Sequence, residues 1–319
     1  MAGTRRHGMT DLVFRLGTGV FGLLVIVIVV AIGFELARQS ILSIQKFGLH
    51  FWLTDTWDPV AGEFGARPFI WGTLYSSVLA LLLAMPISIG IAVFISELAP
   101  AALRQPLVFL TELLAAIPSI VYGLWGIFVL VPAVRWLETA TPEALRGVPF
   151  FSGPPLGVGM FAAAIILAVM VIPFSSSVAR EVLRSVPMAQ REGAYALGAT
   201  RFEAIWAALF YARTGIIGAI MLGFGRALGE TMAVTMVIGN NPQVSLSLFA
   251  PQYTMAAVLA NEFTEAADEL YLHALIEIGL VLFTITLIVN SLSRLLIWSI
   301  EHDARRAAAA VAAVQAAGA

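Results

Sequence analysis

Arg226 and Glu230 stand four residues apart in an otherwise apolar stretch, FGRALGETMAV. On one continuous helix this spacing sets both on one face, where each partly neutralises the other. A charged side chain at the middle of a bilayer costs at least about 2.5–3.5 kcal/mol, so it persists where it faces a bundle interior or a water-filled path. The guanidinium offers forked donors that match a tetrahedral oxyanion. Glu230 can accept from a proton-bearing oxygen of such a substrate, or simply hold Arg226 in orientation. Thr231 and Thr235 add hydroxyls on the flank, and Gly225 with Gly229 forms a GxxxG pair that lets a helix or a substrate approach the backbone. Arg226, Glu230, Thr231 and Thr235 are the candidate substrate pathway. The competing reading is an intrahelical salt bridge that only stabilises packing between subunits.

A second group precedes the first, in REGAYALGATRFEAIWAALF. Ser185 is placed to cap a short helix begun at Pro187, and Gly198 suits the left-handed residue that ends one. Thr200 and Glu203 form a capping box that restarts a helix. Phe202, Ile205, Trp206, Leu209 and Phe210 then fall at i, i+3, i+4, i+7 and i+8, a single apolar stripe. This helix–glycine–helix elbow is shaped to dock into a groove of a soluble partner. An interfacial amphipathic helix that only anchors the loop fits the pattern equally well.

What positions these groups is a membrane-embedded helical bundle. The chain of 319 residues is 60% hydrophobic and 12% charged, with a mean hydropathy of +0.91, the composition of an integral membrane protein. Six uncharged or nearly uncharged runs are long enough to cross about 30 Å of hydrocarbon. They cover roughly 16–34, 68–96, 105–134, 156–178, 214–238 and 271–297, with Pro86 and Ile117-Pro118-Ser119 as bends. The chain divides into a leader, 1–15; a first span, 16–34; a loop, 35–67; a main membrane domain, 72–298, carrying the polar loop 180–213; and a tail, 299–319. Twelve Lys and Arg residues fall on the side of the termini and the 180–213 loop, against five on the other side. That bias places both termini and the elbow in the cytoplasm. On the path from there, Arg226 lies 13 residues beyond Arg213, about 20 Å along a helix. Glu112 in the third span has the pattern of a structural carboxylate, and the role of Glu277 in the sixth stays open.

Several functions are excluded. There are no cysteines, so no disulfide, thiolate metal site or cysteine nucleophile exists, and four scattered histidines have no metal-ligand spacing. The one lysine, Lys46, is followed by Phe47, so no GxxxxGK[ST] phosphate loop is present and ATP must be bound by another polypeptide. A net charge of −2 speaks against nucleic acid as partner.

Glu192-Gly193-Ala194, three residues and Gly198 resemble the EAA-x3-G loop of binding-protein-dependent ABC importer permeases, with Gly193 in an alanine position and Phe210-Tyr211 replacing the usual Leu-Pro. GRALGETMAV at 225–234, SELAP at 96–100, ELLAAIPSIVYGLWG at 112–126 and WDPVAGEFGARPFIWGT at 57–73 are similar to the PstC-type permease family of the phosphate-specific importer. The resemblance implies an all-α type I importer (MetI-like) core of five helices behind one extra N-terminal span, in a bacterial inner membrane. It implies a subunit that performs no bond chemistry and holds no cofactor or metal. Its partners would be a second homologous permease (PstA-type), two ATP-binding subunits (PstB-type) and a periplasmic phosphate-binding protein (PstS-type), with inorganic phosphate as cargo. Glu192, Gly193, Ala194, Gly198, Thr200, Phe202, Glu203 and Trp206 would then form the coupling loop that docks on the ATPase. A same-fold permease for sulfate or molybdate is the nearest alternative. A self-sufficient secondary transporter or channel is a more distant one, since the two halves of the chain show no repeat.

Overall fold

Long apolar helices dominate the structure, a computed structural model that describes the backbone of residues 5–317 and the side chains of 11–299 apart from Leu296. The start of the expected leader, 1–4, the last two residues, 318–319, and the side chains of the expected tail from 300 onward lie outside the described residues. The chain opens with α1 (Arg5–Gln39) and α2 (Ile41–Phe47), a 3-10 turn, and a two-residue hairpin, β1 (Trp57–Asp58) against β2 (Glu63–Phe64). α3 (Arg67–Val93) follows and ends in a π-turn, Phe94–Leu98. Next come α4 (Ala101–Ala116), α5 (Ser119–Trp125), α6 (Val131–Ala140) and the single turn α7 (Glu143–Arg146). The second half contains α8 (Met160–Arg184), α9 (Met188–Ala196), α10 (Arg201–Tyr211), α11 (Arg213–Leu228), α12 (Met232–Thr235), α13 (Met255–Glu262) and α14 (Glu269–Ala317).

Five helical stretches are long and apolar enough to cross a membrane: Asp11–Gln39, Arg67–Leu98, Ser119–Ala140, Met160–Arg184 and Glu269–Ser299. Counted as one broken span, the bent pair α10 and α11, with axes 68° apart, would make a sixth. The expected spans need three corrections. The third crosses at 119–140 rather than 105–134, because Pro118 forces Ile117 out of helical geometry (ψ 129°) and cuts α4 off as a separate helix. The fifth is not continuous over 214–238: α11 stops at Leu228. The stretch after it, expected to be loop through 270, contains α13.

α3 and α8 form the central pair. Their contact is made by Ala80, Ala84, Ala162, Ala163 and Ala168 with Ile166, Leu167 and Val171, all buried. In lipid, where apolar burial gives helices little drive to associate, such small side chains let backbones approach and maximise dispersion contact. At the end opposite the elbow an aromatic cluster holds the first-loop hairpin down, with Trp57 edge-on to Phe64 and Phe69 and with Phe64 stacked on Tyr271. Glu262 accepts from Trp57 Nε1 at 2.8 Å and from the Tyr271 hydroxyl at 2.6 Å, which joins the hairpin to α13 and α14. Gly72 sits where the Tyr253 carbonyl oxygen crosses α3, and any Cβ there would collide with it. Glu277 is 2% exposed and lies beside Ser43 of α2. The third buried cluster underlies the elbow and joins Ala92, Ala179, Leu183, Ala208, Ala212 and Ile216.

Candidate functional site

The fifth span breaks at the residues that carry its polar groups. α11 ends at Leu228, and Gly229 follows at φ −95°, ψ 0°. Thr231 starts the short α12 (φ −110°, ψ −66°). Arg226 is therefore in the last turn of α11, where the exposed carbonyl ends of the helix favour a cation. Glu230 sits in the break instead of one turn above Arg226 on the same helix, and its Oε1 accepts the Ala233 N–H at 3.3 Å. Among the described residues no ion pair within 4 Å joins Arg226 to Glu230. The expected mutual neutralisation on one face fails because the helix ends between them. Arg226 is exposed, with its guanidinium 5.6 Å from the centre of the Phe174 ring and within electrostatic reach of Tyr122.

Tertiary contacts hold the break open. The Thr235 hydroxyl donates to Thr231 O at 2.7 Å, and Asn240 Nδ2 donates to Thr235 O at 2.9 Å. The buried side of α12, Ala233 and Val234, lies against α5. A Cβ on Gly123 would strike the Met236 sulfur and come within 3.1 Å of Ala233 Cα, so α5 and α12 approach closely only through that glycine. Irregular backbone at membrane depth is tolerated only where protein buries it or a water-filled cavity lies beside it. Gly229 is exposed, and a Cβ there would meet nothing beyond its own helix, while one on Gly225 would lie 3.5 Å from Asn290 Oδ1. The glycines that pack α11 onto α8 are Gly215, against Val182, and Gly223, against Ser175 and Val171. The Gly225/Gly229 pair thus has little to do with packing inside this subunit.

The elbow is built largely from local signals. Gly198 has φ +85°, and its N–H donates to Tyr195 O at 2.9 Å while that of Ala199 reaches Ala194 O at 3.1 Å, which closes α9. The capping box is present: Glu203 N donates to Thr200 Oγ1, and Glu203 Oε2 accepts from Thr200 N at 2.7 Å. Those bonds, from the Thr200 backbone first and its hydroxyl second, hold the Glu203 carboxyl below its ordinary range. One expected cap differs. Ser185 Oγ donates back to Val182 O at 2.7 Å and so closes α8, while Pro187 precedes α9 with no side-chain cap.

In α10 the small residues, Ala204 and Ala208, face inward and the large stripe faces out. Phe202 is 74% and Trp206 64% exposed, and Leu197 at the bend is 91% exposed. Glu192 and Gly193 are exposed beside them, Ala194 is half-buried, and a Cβ on Gly193 would meet nothing within 4 Å. A contact invisible in the sequence fixes the elbow to the bundle. Arg191 Nη2 bonds Glu97 Oε1 at 2.7 Å and Leu183 O at 3.0 Å, and Arg201 Nη2 bonds Glu97 O at 2.7 Å. Glu97 and Arg191 are 94 residues apart, so only SELAP as a motif pointed towards Glu97. Glu112, expected to be structural, lies 3.6 Å from Arg180 of α8. No group of three or more His, Cys, Asp or Glu side chains placed to hold a metal occurs among the described residues.

A family model described as the binding-protein-dependent transport system inner membrane component matches residues 84–302, the stretch that contains both sites. The chain belongs to that family. It is 43% identical over 315 residues to the phosphate transport system permease protein PstC of Mesorhizobium japonicum, covering 96% of this chain and 95% of the relative. It is 47% identical over 295 residues to the protein of the same name from Haemophilus influenzae, covering 91% and 93%. Among solved structures it is similar to a chain of the MetNI methionine ABC transporter in an inward-facing conformation, with a TM-score of 0.55 and 14% identity over 73% of this chain and 94% of that one. At that identity the likeness speaks for the fold alone: this is a type I ABC importer permease fold, which the helix order here realises.

Proposed function

We propose that this chain is the permease subunit of an ATP-driven importer of inorganic phosphate in the inner membrane. The substrate reading is supported by the family, by relatives named as phosphate permeases, and above all by one local observation. A single guanidinium, free of any carboxylate partner within 4 Å among the described residues, is exposed beside a break in an apolar helix. Such a group costs too much against lipid and is matched to a tetrahedral oxyanion in a wet path. Glu230 adds selectivity. One of its oxygens supports α12, and the carboxylate repels a fully deprotonated dianion such as sulfate while accepting from an oxygen of phosphate that still carries a proton. Thr231 and Thr235 flank that path.

The chain binds no cofactor in this reading. ATP is bound by two partner ATPases, one of which docks on Leu197, Phe202 and Trp206 of this chain with Glu192, Gly193, Ala194 and Gly198 beside them. A second homologous permease covers the open side of the break, and a periplasmic binding protein delivers phosphate at the aromatic-cluster end. Both termini and the elbow lie in the cytoplasm, in line with the excess of basic residues on that side. Uptake of labelled phosphate in cells lacking other phosphate importers tests the whole reading. Uptake that depends on this chain and ignores excess sulfate is the expected result. Chain-dependent sulfate uptake without phosphate uptake would overturn it.

A further inference from the structure

At the root of the elbow the ends of α3, α4 and α8 enclose a cavity of about 80 Å3, onto which Ser96, Arg104, Gln105, Arg180 and Arg184 open. Arg180 is 7% exposed. Its Nη2 lies 2.9 Å from Glu181 and 3.6 Å from Glu112, whereas its buried Nε–H has no hydrogen-bond partner. A buried charged donor left unpaired is costly and marks a place for a missing acceptor. Arg184 Nη1 is 3.8 Å from Glu181, and Arg104 Nη2 reaches only the Ala99 carbonyl at 3.4 Å. Three guanidiniums thus face two carboxylates, Glu112 and Glu181, and one positive charge is uncompensated. A guanidinium edge with a free Nε–H is the edge that holds tetrahedral oxyanions through parallel N–H donors. The cavity has room for a phosphate group and not for a nucleotide.

We propose that this cavity is a second anion site, one that binds a phosphate group supplied by free inorganic phosphate or by an anionic lipid headgroup. Its position gives it leverage on coupling. Ser96 precedes Glu97, the residue that fastens both Arg191 of α9 and Arg201 of α10, and Arg184 ends α8 just before the chain enters the elbow. An anion seated there would touch Ser96 and Arg184, the neighbours of both attachments of the elbow to the bundle. The site is separate from the pathway at Arg226: along α8 its Arg180 lies six residues, about 9 Å of helix, beyond Phe174, the ring beside Arg226, and no residue of α11 lines it. It does not depend on which oxyanion that pathway carries.

The test uses the full chain carrying Arg226→Gln, which removes pathway binding, in nanodiscs of neutral phosphatidylcholine with radiolabelled inorganic phosphate. Saturable binding is expected, weakened at least about tenfold by Arg104→Gln with Arg184→Gln, since two of three charge-assisted contacts are lost. These two side chains are exposed, so the double variant decides the matter even if Arg180→Gln does not insert. A parallel arm reconstitutes the chain in phosphatidylglycerol vesicles and weighs retained lipid by native mass spectrometry. Retained phosphatidylglycerol that the double variant loses, without binding of free phosphate, assigns the group to lipid. Binding of neither ligand, or binding of either that the double variant leaves unchanged, overturns the proposal. Loss of phosphate uptake with intact cavity binding would count only against the transport reading.

Discussion

Two interruptions of helix, 31 residues apart, carry opposite mismatches with their surroundings. At Gly198 the chain turns in a water-facing loop and displays Phe202, Trp206 and Leu197; at Gly229 it breaks at membrane depth and displays Arg226. Apolar side chains in water and a cation in lipid are both unfavourable for the isolated subunit. In the proposed function an ATPase surface would cover the first, and a partner subunit with hydrated substrate the second. The two also differ in how they are made. Gly198 has φ +85° and hands over to a capping box, so the elbow is dictated within about six residues. Gly229 has an ordinary φ and no cap of comparable strength beside it, and the break persists because α12 is held against α5 through Gly123.

The comparison can be broken most decisively at Arg226. Arg226→Gln keeps size and hydrogen bonding but removes the charge, and phosphate uptake is expected to fall by at least about a hundredfold, the loss of the charge-assisted contact to the anion, with assembly intact. A charge-swapped Arg226→Glu, Glu230→Arg variant is expected not to recover uptake, because the two side chains are not paired. Recovery would turn the break into a packing feature. Next in size is Gly198→Val. A Cβ there would meet nothing within 4 Å, so the main penalty is backbone strain at φ +85°, about 1–3 kcal/mol. Membrane levels are expected to stay near normal while the ATPase subunit no longer co-purifies. Full association would leave the elbow as a mere membrane anchor.

Smaller effects sharpen the contrast. Glu97→Gln weakens the 2.7 Å contact to Arg191 and loosens α9 from the end of α3, while the Arg201 bond to the Glu97 backbone carbonyl stays. ATPase activity stimulated by substrate is expected to drop roughly threefold, in line with one partly buried charged hydrogen bond, whereas uncoupled ATPase activity stays the same. Equal loss of both rates would argue against a coupling role. The smallest effect belongs to the cap. Thr200→Ala is expected to speed amide exchange in the first turn of α10 by roughly fivefold. Glu203 adds a pH signature to it. Its carboxyl is held below the ordinary value of 4.5, so the stabilisation is full above that pH and is lost as pH falls through the lower folded value. The protection of wild-type α10 amides, relative to their intrinsic exchange rate at each pH, should therefore fall below about pH 4.5, and in Thr200→Ala that acid dependence should be much reduced.

What the sequence alone determined was whatever depends on composition and on neighbours along the chain. Apolar runs specify helices in lipid because backbone polar groups there have no other partner. Pro118 cut one helix, Gly198 ended another, and Thr200 with Glu203 began a third, each through contacts within five residues. The charged pair was visible as a chemical anomaly, but its geometry was not. A four-residue spacing implies one face only if the helix continues, and whether it continues past Leu228 depends on α5, a hundred residues earlier. The Glu97–Arg191 clasp and the convergence of Arg104, Arg180 and Arg184 on one cavity likewise join separate helices. Only the tertiary structure decided these, because packing between helices sets which side chains meet, and spacing along the chain carries no information about it.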